Sequence, residues 1–284
     1  MIKRLLGIAP KPTADGAFSP SPLAIKLGTS STTDYDGGAY AKPYTGAKNR
    51  VLMICTEERN MTMANGKKFS TGNHPVEMGL PMLHLMNAGF EIDVVTPTGA
   101  PVAIEAWAMP ADDADIQNLY RDFDAAFANP GSLADFVAND MEEATQYAAV
   151  FIPGGHGAML GLPENADVGK VLHWAHDTNL HTLALCHGPA ALLAAKRDAG
   201  FLYDGYKITV FPDAVDKQTP MIGYLPGPMP WWVGEKLNAL GVETINKKAD
   251  NSVHVDRRLV TGASPKAAND FGRLAAQTLL KTVR

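Results

Sequence analysis

From Arg50 onward the chain alternates short apolar runs with segments of helical period, and this rhythm limits the fold more than any other feature. "RVLMIC" has the length and bounds of a buried strand, "HPVEMGLPMLHLMNAG" those of a helix kinked at Pro81, and "EIDVVTP" those of the next strand. After residue 146 the rhythm resumes: "YAAVFIPGG" reads as strand and turn, "PENADVGKVLHWAHDTN" as helix, "LHTLALC" as strand and "GPAALLAAK" as helix. "KITVFP" and "VETIN" follow as strands around the helical "PWWVGEKLNALG", and "SPKAANDFGRLAAQTLLKTV" closes the chain as a helix. Such unbroken apolar runs suit strands buried on both faces. The expectation is a mostly parallel α/β sheet between helices, with ligands bound where strands end.

Two stretches fall outside this rhythm. Residues 1–48 are expected to form an N-terminal arm, because 10–48 are rich in Gly, Pro, Ser and Thr with little apolar periodicity. Such an arm would lie over the second domain or the pocket mouth. Residues 98–145 hold helical patterns but no clear strand, and read as a small inserted subdomain between core segments 49–97 and 146–284. No internal repeat is present.

With 284 residues, 46% of them hydrophobic, the chain can bury a substantial core. A net charge of -5 and the lack of any Lys/Arg-rich run argue against broad attraction to nucleic acid or anionic membrane. Two cysteines, Cys55 and Cys186, are too few for a disulfide framework and lack metal-site spacing, which suits a reducing, cytoplasmic compartment. The apolar stretch in "MIKRLLGIAPKP" is too short for a signal peptide, and nothing approaches a membrane span.

The chemistry concentrates in "HTLALCHGPAALLAA". Its strand runs into Gly188 and Pro189, which favour a sharp turn and a helix start, so Cys186 and His187 sit in a strand-to-helix elbow. A helix N-terminus favours thiolate, and Cys186 is expected to have a depressed pKa. His187 is the adjacent base, and in "VFPDAVDKQTP" either Asp213 or Asp216 could accept its Nδ1–H. Gly154 and Gly155, in "FIPGGHGAML", could present N–H groups to an oxyanion. Glu77 opens the first long helix at the same end of the sheet; if it shares a pocket with a thiolate, one of the two must hold a proton. His74 could line that pocket or cap the helix. His84, His173, His176 and His181 read as surface or packed residues, His254 and Asp256 as part of a turn between two short strands, and Trp231 and Trp232 as core or interface.

Together, "STGNHPVE", "FIPGGHGA", "LCHGPAALL", "FPDAVDKQTP" and "LVTGASPKAAN" resemble the ThiJ/PfpI superfamily, and within it the HchA-type branch of molecular chaperones, glutathione-independent glyoxalases and protein deglycases. The likeness runs from about residue 34 to near the end of the chain. It implies a flavodoxin-like core with a small second domain and a homodimer. It places the nucleophile at Cys186, the histidine at His187 and the acid at Asp216 rather than Asp213. Glu77 becomes the carboxyl beside the thiol, and Gly154 and Gly155 the backbone site near the substrate oxygen. Members of this branch can carry a His-Glu-His metal site. Met86, Glu91 and Phe123 stand at those positions, so no metal is expected.

On this reading Cys186 would convert 2-oxoaldehydes such as methylglyoxal to 2-hydroxy acids and release early glycation adducts, with no cofactor because its thiol replaces glutathione. Partners would be those small substrates and glycated protein, with nucleic acid only as a glycated substrate, and no membrane. The rival readings are a stress-induced holding chaperone for unfolded proteins and a cysteine peptidase. An amidotransferase fits poorly, since His254 and Asp256 are a weak substitute for its downstream pair.

Overall fold

The computed structural model describes residues 6–283; the start of the expected N-terminal arm, residues 1–5, lies outside the described residues. Strands β1 (Arg50–Ile54), β2 (Glu91–Thr96), β3 (Gly131–Ser132), β4 (Tyr147–Ile152), β5 (His181–Leu185), β6 (Val253–Asp256) and β7 (Leu259–Gly262) form one sheet. Their order is β6-β7-β5-β4-β1-β2-β3, and every neighbouring pair is parallel except the hairpin β6-β7.

The apolar runs are unbroken because both faces of the sheet are covered. Successive residues of a strand point to opposite sides. Leu52 and Ile54 of β1 therefore pack with Val150 and Ile152 of β4 in one core, while Val51 and Met53 join Ala149 and Phe151 in the other. Helices α1 (Pro75–Asn87) and α3 (Ala268–Thr282) cover the second core through Met78, Leu80, Phe271 and Ala275, and α2 (Ala166–Asp177) covers the first through Val168 and Leu172. Each fully buried large side chain contributes about 1.5–3 kcal/mol. Asn165 starts α2 by accepting the Asp167 and Val168 N–H groups at 2.8 and 3.1 Å, as an N-cap does.

The inner strands β2-β1-β4-β5-β7 follow the flavodoxin-like order, in which the chain changes direction between β1 and β4. A crevice opens there beyond the carboxyl ends of the strands. Gly154 and Cys186 come just after β4 and β5, and Glu77 stands in the first turn of α1, so the topology brings all three to that crevice.

The structure departs from the sequence reading at short elements. "KITVFP" and "VETIN" stay outside the main sheet, pairing only as Lys207–Ile208 with Glu243–Thr244. Side chains take their remaining donors: the Thr209 N–H goes to Thr261 Oγ1 and the Val210 N–H to Asn246 Oδ1. "GPAALLAA" is a 3-10 rather than an α-helix. Residues 98–145, expected to hold no strand, supply an edge strand, β3, whose two residues are too few to show a period.

The polar arm is built on hydrogen bonds. Lys11–Pro12 and Phe18–Ser19 join Asn60–Thr62 and Lys68–Ser70 in a four-stranded sheet. Ser21 caps the helix Pro22–Gly28, and its hydroxyl also donates to the Ile222 carbonyl at 2.6 Å. Thr33 donates through both its N–H and its hydroxyl to Asp113 in the insertion.

Candidate active site

Cys186 stands at the crest of a strained turn. Its φ is +59°, a left-handed conformation that costs a non-glycine residue about 1–3 kcal/mol and gathers at functional sites. Neighbouring chains hold it there: its N–H donates to the Gly262 carbonyl at 2.8 Å, and its carbonyl accepts the Phe211 N–H at 3.0 Å. The expected elbow is present, and it is deeply buried, with Cys186 only 3% exposed.

His187 and Asp216 complete a chain of hydrogen bonds from the sulfur. His187 Nδ1 lies 3.4 Å from Cys186 Sγ, and Nε2 lies 2.8 Å from Asp216 Oδ2. The sequence expectation had the ring the other way round, with Nδ1–H on the acid. Because His187 directly follows Cys186, Nδ1 is the nitrogen facing the thiol and only Nε2 reaches across to Asp216. A carboxylate accepting from Nε2–H leaves Nδ1 as the basic nitrogen beside the thiol. Burial would raise the Asp216 pKa, but the charges and hydrogen bonds of His187 and His156 hold it well below the usual carboxylate range.

Asp213, the other candidate, turns away. Its two oxygens accept the Gly234 and Glu235 N–H groups at 2.9 and 2.8 Å and cap the helix Val233–Asn238. The geometry thus separates two acids that the sequence left equivalent.

Glu77 is fully buried next to the sulfur, and burial, followed by the charge of Glu105, pushes its pKa up to about 8. The Cys186 thiol and the Gly155 N–H lie beside its carboxyl, yet neither makes a hydrogen bond of full geometry with it. Gly154 is what permits this approach: a Cβ there would collide with Glu77 Oε2 and lie 2.8 Å from Cys186 Cβ. Gly155 has φ +102°, and a Cβ would meet the His74 backbone nitrogen at 2.6 Å. The Gly155 N–H points toward both Cys186 and Glu77.

The expected depression of the Cys186 pKa is overturned. Burial first, then the negative charges of Glu77 and Asp216, push the thiol well above its ordinary value. A short 3-10 helix end, worth about 0.3–1 kcal/mol, cannot offset the desolvation of a buried anion. Near neutrality both members of the pair therefore hold a proton, and a protonated Glu77 removes its repulsion of a thiolate forming at the sulfur and leaves a donor facing it.

His74 precedes α1, with its side chain unbonded at Nδ1 and its N–H on the Gly154 carbonyl at 2.9 Å. It makes no side-chain cap. Burial, aided by His156 and His187, lowers its pKa to about 3, so the ring is neutral. Two residues outside the sequence-derived set join the site. His156 Nε2 lies 3.1 Å from the second oxygen of Asp216, and its ring centroid is 4.0 Å from that of His187. Glu105, in the inserted segment, is 1% exposed and accepts the Thr71 hydroxyl at 2.7 Å; burial raises its pKa to about 7. His156 was signalled by its place one residue past the Gly-Gly turn, whereas nothing in "EAWAMP" marked Glu105.

The remaining candidates are structural. His84 is fully buried between Tyr40 and Asn269 at 2.8 and 2.7 Å, and His181 bonds Thr282 at 2.9 Å. Cys55 is buried with burial raising its pKa, and Trp231 and Trp232 lie under Lys236 and Lys217. The family-implied metal position does not fit this chain. Glu91 is tied to Asn49 and Arg50, Met86 is partly exposed, and Phe123 packs on Phe127. Elsewhere among the described residues, His156, His187 and Asp216 bring three ligand-type atoms within 4.8 Å of one another, but here both histidines bond to Asp216.

The DJ-1/PfpI family model matches residues 68–278 of this chain. The chain belongs to the DJ-1/PfpI family. The protein/nucleic acid deglycase HchA of Pseudomonas aeruginosa strain UCBPP-PA14 is 48% identical over 278 residues, covering 95% of each chain. HchA of Escherichia coli strain K12 / DH10B is 48% identical over 266 residues, covering 94% of this chain and 93% of its own. Among solved structures, glyoxalase III from Candida albicans matches with TM-score 0.63 and 25% identity, over 83% of this chain and 97% of its own. No helix of the described residues is long and apolar enough to cross a membrane.

Proposed function

We propose that this DJ-1/PfpI member is a cysteine-dependent glyoxalase and deglycase that turns 2-oxoaldehydes into 2-hydroxy acids without glutathione and releases early glycation adducts. The observation that carries this reading is the placement of the Cys186 sulfur between the basic Nδ1 of His187, 3.4 Å away, and the proton-bearing carboxyl of Glu77. HchA relatives bearing the name protein/nucleic acid deglycase, and the glyoxalase III structure, support it.

In the proposed reaction the Cys186 thiol gives its proton to His187 Nδ1 as sulfur attacks the aldehyde carbon, so a C–S bond forms as the S–H bond breaks. Asp216 stabilises the resulting imidazolium. The hemithioacetal oxygen faces the Gly155 N–H. His187 or Glu77 then moves a proton from the former aldehyde carbon to the neighbouring carbonyl carbon through an enediol. Water cleaves the thioester, releasing the 2-hydroxy acid and restoring the thiol. An aminocarbinol adduct entering the same path would lose its amine. The chain would work as a cytoplasmic homodimer, with residues 1–48 as arm, 49–97 and 146–284 as catalytic core, and 98–145 as the small subdomain lending Glu105 to the site.

The test is lactate formation from methylglyoxal with no added thiol. Wild type is expected to form lactate and Cys186→Ala none, with the variant's fold intact by circular dichroism. Wild-type protein that forms no lactate but suppresses aggregation of a heated client would refute the proposal in favour of a holding chaperone.

A further inference from the structure

A cavity of about 450 Å³, within the roughly 300–1,000 Å³ range of small-molecule sites, has His74 in its lining. Two of its walls are tied to the active site. His74 is bonded through its N–H to Gly154, and Pro265–Lys266 follow Gly262, the acceptor of the Cys186 N–H. The third wall is the arm from Leu27 to Asp34, fixed by Thr33 on Asp113 and by the Asp112 N–H on the Ser31 carbonyl at 2.8 Å.

Its chemistry is uneven. Leu27, Val76, Ala108 and Pro265 make an apolar lining, and Leu27 is 65% exposed at the rim, where a leucine gains nothing from solvent. At the inner end stands His74, 5% exposed, with Nδ1 buried and unbonded. A buried polar nitrogen without a partner destabilises the fold, and a ligand hydroxyl or carbonyl would relieve that cost. Among the described residues, Lys266 is the one cation of the lining, offset by Asp34, and no Phe, Tyr or Trp lines the space.

A nucleotide asks for the opposite: cations for its phosphate and flat side chains for its base. A lysine side chain carrying a 2-oxoaldehyde adduct has a four-carbon apolar stem and a polar, hydroxyl-bearing tip. We propose that this cavity binds the aliphatic stem of amine-borne adducts, lysine side chains above all, with His74 on the adduct's polar end, and so selects protein adducts over nucleic-acid adducts. The proposal rests on the deglycase reading of the site and adds to it a specificity element in which Leu27 and Val76 read the stem.

Calorimetric titration with two stable mimics tests it: carboxyethyl-lysine acetylated on its α-amine, and carboxyethyl-deoxyguanosine. The wild type is expected to bind the lysine compound at least about fivefold more tightly. Leu27→Ser, at an exposed position that the fold tolerates, and Val76→Trp, which fills the space, should each weaken that binding about four- to tenfold, one or two lost methylene contacts. Methylglyoxal consumption by both variants should stay within about twofold of wild type, because the small aldehyde has no stem to bind. Equal or tighter binding of the nucleoside, or lysine-compound binding unchanged in both variants, would overturn the proposal. A wild type that makes no lactate from methylglyoxal would instead overturn the reading of the site on which it rests.

Discussion

The imidazoles of His156 and His187 lie 4.0 Å apart, centroid to centroid, and both turn Nε2 to the two oxygens of Asp216. One buried carboxylate therefore fixes the tautomer and orientation of two rings tilted 34° to each other, and only His187 passes that order on to the sulfur. Phe211 stacks on His187 at 4.8 Å and limits the ring further. Proton movement at Cys186 is thereby built on positions that cannot drift.

Asp216→Asn should lower turnover by two to four orders of magnitude, up to the ~10⁴-fold seen when an orienting carboxylate is lost from a tightly coupled triad. Asp213→Asn should leave turnover near wild type and lower stability by about 1 kcal/mol, the usual worth of a helix cap. Steady-state kinetics and thermal melts of both variants decide; a larger kinetic effect at Asp213 would reverse the assignment.

The sequence carried the Cys186–His187 elbow and the glycine pair because each needs a local pattern: an apolar run, a turn residue, a helix start. It could not choose between Asp213 and Asp216. Both follow the same segment, and the choice depends on where the helix Val233–Asn238 presents its free N–H groups. Glu105 was invisible for a related reason, since its burial arises from Thr71 and His156, which are distant in the chain. The thiol's pKa was misjudged because helix-end attraction is readable from sequence and depth of burial is not.

Glu77→Gln should separate catalysis from stability. With a folded pKa near 8 against an ordinary 4.5, Glu77 contributes stability that is complete below pH 4.5 and is lost as pH rises through 8. The amide carries no charge to bury, so the variant should be more stable than wild type at pH 8 by about 1–3 kcal/mol. Its turnover should nonetheless fall by about 10²-fold or more through loss of the proton carrier. Urea denaturation at pH 5 and pH 8 reads the first effect, and an unchanged pH dependence would count against a buried neutral Glu77.

Acid should destabilise the fold early. His74 and His181 have pKa values lowered from 6.5 to about 3 and about 4 by burial, so their stability contribution is full above pH 6.5 and is lost as pH falls toward those values. Replacing His181 by Gln should flatten the decline of the melting temperature between pH 6.5 and 4. A decline of wild-type slope in the variant would place the acid sensitivity elsewhere.

Gly154→Ala should remove activity without touching an ionisable group. Its methyl would strike Glu77 Oε2 and the Leu185 carbonyl, forcing apart the carboxyl and the sulfur, and overpacking of this kind costs about 1–3 kcal/mol. Melting temperature and lactate formation, measured together, should fall together; full activity would show that the Glu77–Cys186 approach is dispensable.

The central claim is that substrate becomes covalently bound to the Cys186 sulfur, and peptide mapping after a rapid quench tests it most directly. Protein mixed with methylglyoxal and no other thiol is quenched with acid within one turnover, which preserves the thioester, then digested and mapped by mass spectrometry at low pH. The account predicts one adduct on the peptide carrying Cys186, none on the fully buried Cys55, and none in Asp216→Asn on the same timescale. Lactate accumulating at the wild-type rate with Cys186 unmodified at every quench time, or formed undiminished by Cys186→Ala, would contradict it.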